Sequence, residues 1–127
     1  MKTMTLAEFH EACKAQAASH DLIVFKCPMC RTLQNARDLI AAGAGKTFEE
    51  VETYLAFSCV GRWTGAGSPR KEPDGQPCNW TLGGLFPLHR MVVVTQDGEE
   101  HPRFELADKA EADAHRAAQA AKEWQPA

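Results

Sequence analysis

Leu6, Phe9, Cys13 and Ala17 recur three and four residues apart, the spacing that lines one face of a helix with apolar side chains. Thr5 and Glu8 stand before and within its first turn as a capping box, each side chain satisfying the other's backbone N–H. His20–Asp21 ends this helix, and 22–26, rich in β-branched and aromatic residues, reads as a short strand. Further on, Asn35 caps a short helix over 36–42, which Gly43 stops in a left-handed conformation. Thr47 and Glu50 form a second box, opening a helix with Phe48, Val51 and Leu55 on one stripe. Residues 57–60 read as a strand and 80–86 as a broken one, interrupted by Gly83–Gly84. Between them, 61–77 is a long loop rich in Gly, Pro and Ser. Residues 91–95 and 103–106 flank Asp97–Gly98, a hairpin turn signal. Asp108 and Glu111 make a third box. The helix it opens is alanine and charge, with little to bury, and is expected to fray.

The pattern predicts an α+β fold in one domain over 1–107, with 108–127 as an alanine-rich helix and frayed tail. At 44% hydrophobic and 24% charged, the composition is that of a globular chain. Aromatics are only 8%, so the core is modest and gains from a staple. The net charge of −3 counts against generic binding to a phosphate backbone. No run reaches the roughly 18–20 apolar residues of a membrane span. Nor does the start of the chain read as a signal peptide, and the expected location is the cytoplasm, where spaced cysteines are metal ligands more often than disulfides.

Cys27-Pro-Met-Cys30 is the centre of the chemistry. Two thiolates two residues apart in a tight turn aim at one point and supply half of a tetrahedral zinc site, and Pro28 stiffens that turn. Cys59 and Cys78 are single cysteines that complete the set if their strands run antiparallel opposite the turn. The expectation is a structural Zn2+ held by Cys27, Cys30, Cys59 and Cys78, in a zinc-ribbon or treble-clef-like β element with an inserted helical pair. A disulfide, a redox C-x-x-C pair, an iron–sulfur cluster and an open zinc using His89 stand as alternatives. Cys13, on the apolar stripe, reads as a small core residue.

Other signals are weaker. Gly45-Lys46-Thr47 ends like a phosphate-binding loop, but the earlier glycine that motif needs is Ile40, and the segment follows a helix. The five histidines show no metal-ligand spacing. Arg62, Trp63, Arg70 and Lys71 in the long loop are candidates for partner binding, since an aromatic beside arginines stacks on a base or anchors a protein.

Four separated blocks carry a resemblance: Phe25-Lys-Cys27-Pro-Met-Cys30; Asp38-Leu-Ile with Ala-Gly-Ala-Gly-Lys46; Phe57-Ser-Cys59-Val-Gly-Arg62 with Thr64-Gly-Ala-Gly67; and Cys78-Asn-Trp80-Thr-Leu-Gly-Gly-Leu-Phe86. Together they resemble a family of small proteins encoded by bacteriophages and prophages of proteobacteria. The resemblance implies an accessory protein of viral origin acting in a bacterial cell, with the four cysteines as its shared site. Arg31 departs from the glycine common after such a turn, where the backbone often needs φ > 0. The functional expectation is a binding module that engages a host or viral macromolecule through the zinc-pinned loop, counter-defence being one role the resemblance suggests. A protein partner is favoured by the negative charge; a nucleic-acid-binding zinc ribbon and a zinc enzyme are the alternatives.

Overall fold

The computed structural model describes residues 2–82 and 91–123. It is a mixed helix and sheet structure with two small three-stranded sheets. In the first, β1 (Lys2–Thr5) runs parallel to β4 (Met91–Val94), which pairs antiparallel with β5 (Glu100–Arg103). In the second, β2 (Phe25–Lys26) lies between β3 (Leu33–Gln34) and β6 (Glu105–Leu106), antiparallel to both. Among the described residues, four helices accompany the sheets: α1 (Leu6–Gln16), α2 (Ala36–Ala41), α3 (Phe48–Leu55) and α4 (Lys109–Glu123).

The caps follow the sequence closely, because capping is a local bargain between neighbouring groups. The Thr5/Glu8 and Asp108/Glu111 boxes are both closed. Asn35 caps α2 with Asp38 as its reciprocal partner, and Gly43 follows at φ 92°. Thr47 caps α3, but the Glu50 carboxylate accepts from the Lys46 N–H instead of closing the box.

Several strands differ from the reading above. Residues 20–22 form a 3-10 turn, and β2 keeps only Phe25–Lys26. The reason is Gln16: its side chain accepts from Val24 N (2.7 Å) and donates to Val24 O and Ala107 O (2.8 Å each). That buried amide takes the place of a strand neighbour. The expected strand 57–60 shrinks to a single antiparallel bridge, Ser58 to Thr81, and 60–62 becomes a 3-10 turn. Of the broken strand 80–86, residues 83–86 lie outside the described residues. The turn at Asp97–Gly98 is present, but β4 pairs with Glu100–Arg103, so that of the expected second strand 103–106 only Arg103 takes part. Phe104 is the pivot: its side chain is buried, its N–H goes to Ala56 O at 2.8 Å, and the chain passes from one sheet to the other.

Helix α4 buries little apolar surface, in line with its alanine-and-charge composition. Ala112 buries against Val24 and Ala107. Polar side chains do the rest. Arg116 donates to Leu22 O at 3.0 Å and Gln16 O at 2.7 Å, Glu111 pairs with Lys26 at 2.8 Å, and His115 meets Asp38 at 2.7 Å. Residues 124–127 lie outside the described residues.

The main core gathers Phe25, Ala36, Leu39, Val51, Leu55, Ala56, Val60 and Phe104 around four cysteines. Trp80 stacks on Phe104 at 5.8 Å between ring centroids, and both Trp80 and Leu82 pack on that core.

Candidate metal centre

The β2–β3 hairpin carries the first half of the site. Its turn is closed by Arg31 N–H to Cys27 O (2.8 Å) and Cys27 N–H to Thr32 O (3.0 Å). Arg31 takes φ 67°, so the left-handed conformation expected there is present, without the glycine that adopts it most easily.

The second half comes from irregular chain. Cys59 precedes the 3-10 turn, and Cys78 closes the long loop. The two segments run antiparallel, through Cys59 N–H to Trp80 O (2.9 Å) and Leu82 N–H to Phe57 O (2.6 Å). Gly61 is what lets them meet. A Cβ there would lie 2.3 Å from Cys78 O and 2.8 Å from Cys78 N, so only glycine fits. The loop is held along its length as well, by Gly75 N–H to Cys30 O (2.8 Å) and Asn79 N–H to Gly67 O (3.0 Å).

The sulfurs of Cys27, Cys30, Cys59 and Cys78 all lie within 4.8 Å of one another, and all four residues are buried. Cys27 and Cys78 are 3.9 Å apart, Cys30 and Cys59 3.7 Å. A tetrahedron with metal–sulfur bonds of about 2.3 Å has edges of about 3.8 Å. The set therefore fits one ion with four ligands. The same separations are well beyond the roughly 2.05 Å of a disulfide, and every described cysteine is free. Additional contacts suit thiolates: Thr32 Oγ1 lies 3.1 Å from Cys30 Sγ, and Cys78 N–H points at Cys59 Sγ at 3.5 Å.

Hydrogen bonds among the sulfurs push the Cys27 thiol far up, with burial adding to them. Those from Cys27 and Cys59 pull Cys30 far down, making it the thiolate its neighbours solvate. Burial pushes Cys78 up to about 12. Four sulfurs this close cannot all ionise unless a cation replaces their protons. Cys13 is apart from them on α1, and burial pushes it up to about 11, as befits an unreactive core thiol.

The four loop residues separate into two groups. Trp63 sits 4.9 Å from the Tyr54 ring, and Arg62 lies 6.0 Å from the Trp63 centroid while donating to Thr81 Oγ1. Tyr54, half-exposed at the end of α3, belongs to this surface and was not singled out in the sequence. Arg70, which is exposed, pairs with Asp74 and donates to Gln76 O (2.6 Å) and Pro77 O (3.2 Å). Its guanidinium thus braces the end of the loop while staying on the surface. Lys71 is exposed and bonds to nothing among the described residues.

Fold and site together define a small α+β protein built around a buried four-cysteine cluster able to hold a metal ion. A family model described as VVA0879-like matches residues 5–107, and the chain belongs to that family. No curated protein and no solved structure matches it. Among the described residues, no helix is long and apolar enough to cross a membrane.

Proposed function

We propose that the chain is a structural-zinc binding module. Cys27, Cys30, Cys59 and Cys78 hold one Zn2+, which staples the β2–β3 turn to the long loop. The observation that carries this reading is the mutual approach of four buried sulfurs within 4.8 Å. The spacing suits a single ion better than a cluster of several irons, and thiolate sulfur suits zinc. Four protein ligands close the coordination shell, which favours a structural over a catalytic ion. Such binding contributes roughly 10 kcal/mol or more, comparable to a domain's whole net stability of about 5–15 kcal/mol.

With the loop pinned, Arg62, Trp63 and Tyr54 form an aromatic–cationic surface of the kind that anchors a macromolecule. A protein is the favoured partner, because the chain carries a net charge of −3. A phage-encoded adaptor acting in the host cytoplasm is the context that the four resembling blocks suggest.

Zinc-loaded protein and its Trp63→Ala variant, which spares every cysteine, are to be compared for capture of partners from bacterial lysate and for binding to labelled single-stranded DNA. The proposal expects a protein that survives moderate salt and is lost in the variant. Binding to DNA alone, falling steeply with salt, would move the assignment to nucleic acid.

A further inference from the structure

Away from the cysteines, a cleft of about 600 Å³ opens beside α1 and α3, within the roughly 300–1,000 Å³ of small-molecule sites. Phe9, Ile23, Phe25, Phe48 and Leu55 line it, and Arg103, from the end of β5, supplies a cation. The Arg103 guanidinium carbon lies 5.6 Å from the Phe9 ring centroid and 5.1 Å from that of Phe57. Two rings thus fix its position before anything binds.

That cation is poorly compensated. Its Nε is buried with no hydrogen-bond partner among the described residues, and no carboxylate comes within ion-pair distance. Glu52, exposed on the same cleft, attracts it from further away. Desolvation holds Arg103 below its usual pKa, the mark of a cation deprived of water. In such a setting an anion is attracted far more strongly than in water, and a carboxylate matches the guanidinium fork. Lys14, His10 and His20 add basic groups along the cleft.

We propose that this cleft binds a small carboxylic acid with an apolar body, its carboxylate on Arg103 and its body among Phe9, Phe25 and Phe48. The site is independent of the metal centre, none of whose cysteines lines it.

The test titrates 4-phenylbutyrate, and separately its neutral amide, into the metal-loaded full chain by calorimetry. The acid is expected to bind at least about tenfold more tightly than the amide, a preference lost in Arg103→Met. Glu52→Gln, which removes the opposing charge, is expected to tighten the acid a few-fold. Failure of the acid to saturate, or equal binding of acid and amide, would overturn the proposal. So would an undiminished preference in a folded Arg103→Met. Should that variant not fold, the comparison of acid with amide on the unaltered protein decides alone.

Discussion

Asn35 and Gln119 face each other as a reciprocal amide pair: Asn35 Nδ2 donates to Gln119 Oε1 at 2.8 Å, and Gln119 Nε2 to Asn35 Oδ1 at 2.9 Å. The contact joins the cap of α2 to the last third of α4 across 84 residues of chain. Asn35 is fully buried, so it has no water to fall back on. Gln119→Ala leaves that amide short of partners, which costs about 1–3 kcal/mol. For a chain of this size each kcal/mol lowers Tm by about 3–5 °C. Thermal unfolding of the variant is expected to show a drop of that order, whereas an unchanged Tm would mean that α4 does not dock as described.

Gly61→Ala probes the packing of the loop against Cys78. The new Cβ would have to push away the Cys78 carbonyl, which it would approach to 2.3 Å. Metal affinity, measured by competition with a chromophoric chelator, is expected to fall at least about tenfold, since a displaced ligand loses its place in the tetrahedron. Gly67→Ala, where a Cβ meets nothing within 4 Å, serves as the neutral comparison.

Arg31 holds a left-handed conformation that a side chain disfavours by about 1–2 kcal/mol. Arg31→Gly relieves this and lets the unfolded chain explore more conformations, so a net gain of up to about 1 kcal/mol is expected. Arg31→Val, β-branched, is expected to destabilise by more. Chemical denaturation of the metal-loaded proteins checks the order Gly, Arg, Val.

Metal binding should release protons. Cys27 is pushed up by the hydrogen bonds its thiol makes to Cys30 and Cys59, and Cys78 by burial to about 12, so both carry protons at neutral pH in the metal-free protein. The folded-state shift is upward for these two groups, and the protonated form competes with the metal. Apparent zinc affinity is therefore expected to rise with pH through the neutral range and fall as the solution is acidified. Calorimetry in buffers of different ionisation enthalpy counts the protons, and a pH-independent affinity would contradict this assignment.

How much of this was legible in the sequence depends on the range of each interaction. Thr5 with Glu8, Asn35 as the cap of α2 and Gly43 after it are local, and the reading placed them correctly. The four cysteines were legible because thiolate chemistry is restrictive, and the fold brings their sulfurs together. The first strand was not anticipated: Lys2–Thr5 pairs parallel with Met91–Val94, a partner that no local pattern announces. The docking of α4 was not legible because it runs mainly through Arg116, Gln119 and His115, polar residues that a hydrophobic periodicity does not count. Gln16 hid in the same way, a polar residue on a helix whose buried amide stands in for a strand edge. The bracing contacts of Arg70 were not legible because its acceptors, Asp74 and two carbonyls, are brought near only when the loop turns back.

X-ray absorption at the zinc edge, on protein purified with zinc present and with metal content measured on the same sample, tests the central claim most directly. The account predicts one zinc per chain with a first shell of four sulfurs at about 2.3 Å and no lighter donor. A chain that takes up no zinc, or a shell with nitrogen or oxygen in place of one of the sulfurs of Cys27, Cys30, Cys59 and Cys78, would contradict it.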